Sequence, residues 1–172
     1  MNVTVEITPS QGLRDLLDRA RTMPEQVLQG LGRALSASGP MIVGNAVKYR
    51  FTAERGPFPI SDHKLGRRTG RLRQSITNTP PQINPSAGEV TMGFGSNVRY
   101  FGVHEFGFTG NVQVKAHQRK GRPVRGHSRY VKIAARAPMT TELMDPRTEE
   151  IVVENARRQI TRVLNEMEGG PA

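Results

Sequence analysis

Apolar side chains follow a helical period toward the two ends of this 172-residue chain and lose it in the middle, and this contrast constrains the fold most strongly. Near the C-terminus, Asp145 and Pro146 form a helix start, with Asp as the N-cap and Pro as the first helical residue. One apolar stripe follows at helical spacing: Val152, Ala156, Ile160, Val163 and Met167. The sequence therefore predicts a C-terminal helix that begins at residue 146.

A second and longer helical face lies closer to the N-terminus. Thr22 and Glu25, with Pro24 between them, form a helix start of the capping-box type. Apolar residues continue this face to about Tyr49, but Gly39-Pro40 interrupts it. Because a Pro inside a straight helix costs about 3 kcal/mol, we expect one kinked helix or two helices in line.

Between the helices the chain alternates in polarity and is rich in Gly and Pro, which indicates strands and loops. The runs that we predict as strands are residues 72–77, 89–94, 98–107 and 130–135. The most apolar and aromatic of them is 98–107, so we expect it at the centre of the fold. Residues 52–70 and 109–126 are predicted to be long basic loops. Helices and strands in this order predict an α+β fold.

The positive charge of the chain is concentrated in this middle region. Lys and Arg number 25 against 15 acids, for a net charge of +10. From Lys48 to Arg136 there are 17 basic residues and four acids, so this region carries +13 and the two ends together carry −3. Such a surface favours a polyanion, an acidic protein or an acidic membrane face. We therefore expect the functional residues in the middle of the chain.

Length and composition predict one domain with a small core. A domain typically has roughly 100 to 200 residues, and here 35% of residues are hydrophobic, with no Trp. We expect residues 1–172 to form a single domain, in which 1–21 hold a short strand and a short helix, 22–167 the core, and 168–172 a flexible tail. No stretch approaches the ~18 apolar residues of a membrane span, so we expect a soluble, unprocessed chain with no membrane partner. The absence of Cys excludes disulfides and thiolate metal sites.

The motifs of enzymes and metal sites are incomplete. His104-Glu105 would need a second His at position 108, where Phe108 stands, and Gly93-Phe94-Gly95 lacks the third Gly of a dinucleotide loop. The four His residues lack ligand spacing. We therefore expect no enzyme, no metal and no cofactor. A nuclease that uses His127 is a weaker alternative, because no carboxylate cluster could hold its metal.

Two residues in the apolar run 98–107 could be functional. A His in such a run is usually half-buried with one hydrogen bond, and we expect this of His104. Glu105 must either face solvent or pair with a basic group of this chain or of a neighbouring copy, because an unpaired buried carboxylate is costly. The pairing makes Glu105 a candidate at a subunit boundary.

The basic region has three interpretations. It can contact nucleic-acid phosphates without sequence preference, dock on acidic protein surfaces, or be a solvated face with no partner. No zinc finger, RNA-recognition motif or recognition helix is visible, so sequence-specific readout is not expected. A stand-alone, non-specific nucleic-acid-binding protein is the main alternative to the function considered next.

Three short motifs, taken in order, resemble a known family. Residues 67–76 (RRTGRLRQSI) contain an element of the form TGxLxxSI, and 98–107 (VRYFGVHEFG) resembles a strand of the form YAxxxEFG. Residues 135–139 (ARAPM) resemble an ARPF turn before the last helix, with Ala137 and Met139 as departures. The long basic segment 109–128 also departs from the pattern. Over residues 22–167 the chain resembles the tail-completion and neck proteins of tailed bacteriophages.

This resemblance implies a structural protein of the virion, with an antiparallel sheet packed by an N-terminal and a C-terminal helix. The implied place is the neck or tail end, where copies form a ring with an expected six-fold symmetry that joins the DNA-filled head to the tail. Implied partners are other copies of the chain, portal or adaptor proteins on the head side, and tail-terminator or tail-tube proteins. Contact with passing phage DNA and assembly in the host cytoplasm are further implications. Tail-completion, tail-terminator and head-closure roles all remain open.

The working residues of such a protein would lie at interfaces. We predict that they are basic residues of the two long loops, together with Glu105 near the subunit boundary. The first loop contributes Arg67, Arg68, Arg71 and Arg73, and the second contributes Lys115, Arg119, Lys120, Arg122 and Arg125.

Overall fold

Two long helices form the frame of the molecule. The computed structural model describes residues 25–52, 56, 64–66, 69–119 and 121–168. Helix α1 spans Glu25–Tyr49 and the last helix, α5, spans Pro146–Glu168. They run antiparallel, because Gly30 lies next to Val163 whereas Arg50 reaches Asp145. Helices α1 and α5 therefore pack directly against each other, although the predicted strands lie between them in the sequence.

The remaining elements are short helices and strands. In chain order they are α2 (Arg71–Gln74), β1 (Ile76–Asn78), β2 (Gln82–Asn84), β3 (Glu89–Thr91), β4 (Phe94–Ser96), α3 (Phe101–Phe106), β5 (Phe108–Val114), β6 (His117–Arg119), β7 (Arg122–Val124), β8 (His127–Ile133) and α4 (Pro138–Leu143). All strand pairs are antiparallel, and each joins two strands. Helices and antiparallel strands confirm the predicted α+β class.

Helix α1 continues through Pro40 as one element. The ring of Pro40 lies on the exposed side of the helix, so water can reach the Ser36 carbonyl that Pro40 leaves without an amide partner. On the opposite side, Ser38 donates from Oγ to the carbonyl of Ala34 over 2.9 Å, and Asn155 of α5 donates to Ser38 Oγ over 3.0 Å. The expectation of two helices in line is therefore wrong.

The strands form two hairpins. In the first, β1 pairs with β4 and β2 with β3, and a break at Thr79 and Gly93 separates the two pairings. The break is bridged by hydrogen bonds, since Thr79 N donates to Gly93 O over 2.8 Å and Gly93 N donates to Thr79 Oγ1 over 2.9 Å. This hairpin packs against α1. The second hairpin, β5 to β8, forms the candidate functional site.

The core has two clusters along α1. The larger surrounds Phe101 and Met139, which are both fully buried, and consists of Ile42, Ala46, Phe51, Leu65, Ile76, Phe94, Phe101, Met139 and Leu143. The smaller contains Leu28, Leu31, Ala34 and Ala156, with Ile83, Val90 and Ile160 packed against it. A parallel bridge joins Phe51 to Leu65, and both side chains are buried in the larger cluster. The predicted first loop, 52–70, is therefore attached to the core just before it begins and again at Leu65.

The predicted strand 98–107 is wrong, because its centre is helix α3. Phe101 and Glu105, four residues apart, are buried on one side, whereas Phe106 is 59% exposed. This is helical spacing, and Gly107 ends the helix with a positive φ of 76°. Leu72, predicted to begin a strand, lies in the short helix α2, and the strand begins at Ile76.

The predicted loop 109–126 is also wrong, because most of it forms β5, β6 and β7. So many charged side chains can belong to strands here because a two-stranded ribbon leaves both of its faces accessible to water. The predictions for 130–135 and for the C-terminal helix are confirmed by β8 and α5. The predicted run 89–94 is divided between β3 and β4.

Other predictions lie outside the described residues. They are the strand at 3–7, the helix at 13–20, the capping residues Thr22 and Pro24, and the tail after Glu168. None of the helices in the described ranges is long and apolar enough to cross a membrane.

Candidate functional site

The second hairpin is a two-stranded ribbon, which we call the basic arm (residues 108–133). β5 pairs with β8 from Phe108 opposite Ile133 to Val114 opposite His127. β6 then pairs with β7, from His117 opposite Val124 to Arg119 opposite Arg122. Since a strand rises about 3.3 Å per residue, the arm is roughly 40 Å long.

The basic arm carries positive charge without any negative charge. Seven of its residues are Lys or Arg: Lys115, Arg119, Lys120, Arg122, Arg125, Arg129 and Lys132. It also contains His117 and His127, and no Asp or Glu occurs between Glu105 and Glu142. The register places Arg119 directly opposite Arg122, and like charges in opposite positions destabilise a strand pair. The arm therefore has no acidic side chain of its own to offset the repulsion between its positive charges, and an anionic partner would offset it.

The arm makes little contact with the rest of the chain. Among the described elements, its long strands pack extensively only against each other. Most of its side chains are exposed, and Tyr130 is 66% exposed. A two-stranded hairpin without packing partners is at best marginally stable in water. The geometry therefore favours an arm that gains its order from a partner.

The two faces of the arm differ. Residues directly opposite each other share a face, so Val112, Val114, Val131 and Ile133 lie on one face and are half-buried. The other face is exposed and consists of Thr109, Asn111, Gln113, Ser128, Tyr130 and Lys132. Toward the tip, Val114, His117, Val124, His127 and Arg129 line a shallow hollow of about 270 Å³. The first face thus changes from apolar near the base to cationic near the tip.

Helices α3 and α4 hold the base of the arm. The carbonyl of His104 accepts hydrogen bonds from Arg136 N at 2.9 Å and Ala137 N at 3.2 Å. Gly107, which begins the arm, lies so close to the returning strand that an added Cβ would stand 2.9 Å from Ile133 O and Ala135 N. These contacts fix the point where the arm leaves the core.

Glu105 completes this base. Its side chain is buried, and its Oε2 accepts from Met139 N at 3.1 Å. Its Oε1 accepts from Thr140 N at 2.8 Å and from Thr140 Oγ1 at 2.7 Å. The expectation that Glu105 faces solvent or pairs with a basic group is therefore wrong, because the free amides at the start of α4 are its partners.

His104 is half-buried beside the base. Its ring meets Tyr100 edge to face, with 6.1 Å between ring centroids, and its Nδ1 has no hydrogen-bond partner among the described residues. The half-burial agrees with the prediction. The predicted hydrogen bond of the ring is not formed with any described residue. Burial, and then the positive charge of Arg136, lower the pKa of His104 below its usual value.

The predicted interface residues fall in different parts of the structure. Arg71 is exposed on α2, whereas Arg73 is half-buried and donates from Nε to Val47 O at 3.3 Å. The arm contains Lys115, Arg119, Arg122 and Arg125. The side chains of Lys115, Arg122 and Arg125 are exposed. Arg67, Arg68 and Lys120 lie outside the described residues. Sequence reasoning missed His117, Arg129 and Lys132, although the acid-free stretch that contains them was visible.

A buried ionic cluster is a further feature that the sequence did not indicate. Arg50, after α1, donates from Nε to Glu142 Oε2 at 2.9 Å and from Nη2 to Asp145 Oδ2 at 2.6 Å. Arg147 also binds Asp145 through both oxygens, which holds the pKa of Asp145 well below its usual range. Since these groups join α1 to the start of α5, we assign the cluster a structural role.

The described residues contain no group of three or more His, Asp or Glu that could hold a metal ion. Comparison with known proteins gives no match: no protein family, curated protein or solved structure is significantly similar to this chain.

Proposed function

We propose that this protein is a structural component of a bacteriophage virion that joins the DNA-filled head to the tail. The support from sequence is the resemblance of three ordered motifs to tail-completion and neck proteins. In this proposal the working residues bind partners and none of them is catalytic. The protein would be assembled in the host cytoplasm and reside in the neck or tail end of the particle.

The observation that carries the proposal is the basic arm, whose long strands pack extensively only on each other among the described elements. A ribbon with seven Lys or Arg and no acid gains stability when an anionic surface covers it. A ring of copies at the head-to-tail junction would present such arms to its neighbours. The partners in this proposal are other copies of the chain in a six-fold ring, portal or adaptor proteins, tail-terminator or tail-tube proteins, and the DNA that passes.

Two of the three motifs that carry the resemblance lie at the base of the arm. YFGVHEFG forms α3 and ARAPM leads into α4, and Glu105 links the two by hydrogen bonds. TGRLRQSI ends in β1, which packs on α1. The motifs thus connect elements of the core and fix the base of the arm. This structural role accounts for the motif residues without a catalytic function.

Electron microscopy of a lysate tests the head-to-tail role directly. When the gene is interrupted in its phage, we expect filled heads beside unattached tails, and restored particles when the chain is supplied from a plasmid. Intact and infectious particles without the gene would overturn the proposal.

A charge-reversal variant tests the part played by the arm. Arg122→Glu with Arg125→Glu changes two exposed residues near the tip. We expect it to fail to restore joined particles while its thermal unfolding stays close to that of the wild type. The matched control, Arg33→Glu with Arg157→Glu, changes the net charge equally on exposed helix positions and should restore them. Equal failure of both variants would contradict a specific role for the arm.

A further inference from the structure

The tip half of the basic arm gathers three cationic or protonatable side chains around one hollow. His117, His127 and Arg129 line this hollow together with Val114 and Val124. His117 belongs to β6, whereas His127 and Arg129 belong to β8, so the hairpin brings them together from different strands. All three are among the exposed residues of the arm.

The two histidines have the same local geometry. Nδ1 of His117 lies 3.0 Å from the carbonyl oxygen of Lys115, and Nδ1 of His127 lies 3.0 Å from that of Arg125. Because a carbonyl oxygen can only accept, each Nδ1 carries the hydrogen. Nε2 is then a bare acceptor in the neutral ring and becomes a donor when the ring is protonated. Each histidine therefore changes from repelling an anion to binding it when it gains a proton.

The charged side chains around the hollow are all cationic. Arg129 lines it, Lys115 and Arg125 supply the carbonyl groups, and Arg122 follows along the ribbon. No acid occurs in the arm, and no other described element packs extensively on this half of it. Protonation of the imidazoles adds further positive charge beside Arg129, and an anion in the hollow would offset it.

From this arrangement we infer that the tip half of the arm binds the phosphate backbone of duplex DNA, and that it does so more tightly when His117 and His127 are protonated. One phosphate occupies the hollow between His117, His127 and Arg129. Lys115, Arg122 and Arg125 contact adjacent phosphates. The inference names the partner of the arm in the proposed function, but it concerns the isolated chain and does not require the head-to-tail role.

DNA fits the arm better than an acidic protein surface does. The cations extend along the ribbon instead of forming one compact patch, as a linear polyanion requires, and a two-stranded ribbon can enter the major groove of DNA. An acidic protein would match fixed side-chain positions, yet none of the arm's described cations forms an ion pair with another described residue.

Fluorescence anisotropy with a labelled, mixed-sequence duplex tests the inference. We expect the affinity of the full chain to fall steeply between about 50 and 200 mM salt, as displacement of several counterions requires. We also expect it to be higher when the imidazoles are protonated, because each protonated ring adds a positive charge and an Nε2 donor at the hollow. His117→Gln with His127→Gln should remove most of this rise at lower pH and leave the affinity at higher pH nearly unchanged.

A second pair of variants separates the arm from the net charge. Arg122→Gln with Arg125→Gln should reduce the steepness of the log–log salt dependence by about 1 to 2, since each lost phosphate contact lowers it by about 0.9. The control Arg33→Gln with Arg157→Gln loses the same charge elsewhere and should change it little.

Three results would overturn the inference: equal loss in the control, a pH response that the histidine variant retains, or binding of polyglutamate as tightly as DNA. The last would assign the arm to an acidic protein partner. Because this experiment uses purified chain, its failure leaves the microscopy result for the head-to-tail role intact, and the reverse is also true.

Discussion

At the residue scale, Glu105 connects α3 to the segment that follows the arm. Its carboxylate accepts three hydrogen bonds from Met139 and Thr140, which lie 34 and 35 residues further along the chain. A carboxylate can replace the missing acceptors at a helix start, and a hydrogen bond to a charged group stabilises more than a neutral one. Burial of the whole side chain makes the loss of this acceptor costly.

We expect Glu105→Ala to lower the free energy of unfolding by about 2 to 3 kcal/mol, because it leaves buried amides without acceptors. Glu105→Gln should cost less, since its one amide oxygen can still accept from Thr140. The measurement is urea unfolding followed by circular dichroism. Glu150→Gln, on the exposed side of α5, is the control and should change stability by less than about 0.5 kcal/mol. Equal effects at the two positions would contradict the role of Glu105.

His104 gives a pH dependence at the same scale. Burial lowers its pKa in the folded chain, so the unfolded chain binds a proton more readily as the pH falls below the usual imidazole value of about 6.5. Stability should therefore decrease as the pH is lowered from about 6.5 until the folded ring is protonated too, by at most about 1.4 kcal/mol per pH unit for one proton.

The measurement for His104 is the unfolding free energy as a function of pH. His104→Asn should flatten the curve in this interval, because it removes the buried imidazole whose pKa is lowered. The effect of Asp145 lies at lower pH, because Arg147 lowers its pKa and the resulting stability is lost only as the pH falls below the usual carboxyl range. An unchanged curve in His104→Asn would show that another group is responsible.

At the scale of elements, the arm depends on a close approach of backbone at Gly107. Two glycines of the arm region have similar positive φ angles, 76° at Gly107 and 75° at Gly121. They differ in their surroundings, because a Cβ at Gly107 would clash with the backbone of the returning strand and a Cβ at Gly121 would meet nothing within 4 Å. The φ angles are thus alike, although Gly107 has an extended ψ of 176°, and only at Gly107 would a Cβ meet the backbone of another strand.

This pair compares a glycine at an open turn with one that lies against the backbone of the returning strand. We expect Gly121→Ala to cost about 1 kcal/mol, the strain of a positive φ at an exposed turn. Gly107→Ala should cost at least about 2 kcal/mol, because strain and clash add there. Thermal unfolding of both variants measures the difference. Similar losses would mean that the base of the arm can shift to admit a Cβ.

At the scale of the whole molecule, the core and the arm are unequal in stability. The core is formed by α1, α5, α3, α4 and the first hairpin, whereas the arm has few contacts outside itself. Opening of a segment with few buried contacts costs little free energy, and opening of the core requires global unfolding. The two parts should therefore differ in their dynamics.

Hydrogen exchange measures this difference. We expect amides of β5 to β8 to exchange many-fold faster than those in the centres of α1 and α5, because arm amides open without the core. Duplex DNA should slow exchange in the arm and leave the helices unchanged. Strong protection of the free arm would show that it is stable without a partner.

The elements that could be predicted from the sequence are those that depend on residues close together in the chain. The start of α5 is one example, since Asp145 accepts from Arg147 N two residues later and Pro146 has the backbone angle of a helix. The long N-terminal helix and the α+β class were predicted from similarly local signals. The acid-free basic stretch was also visible, although the structure that it forms was not.

The arm, the helix within 98–107 and the hollow could not be predicted from the sequence, because the contacts that form them join residues far apart in the chain. The pairing of Phe108 with Ile133 turns the predicted loop into the arm. The run 98–107 has a composition that suits a strand or a helix, and it is a helix because Phe101 enters the core while Glu105 reaches the amides of α4. His117 and His127 come together around one hollow only because of the register of the arm. Local propensity is too weak to select among such alternatives, since the free energy that selects them comes from burial and hydrogen bonds formed on folding.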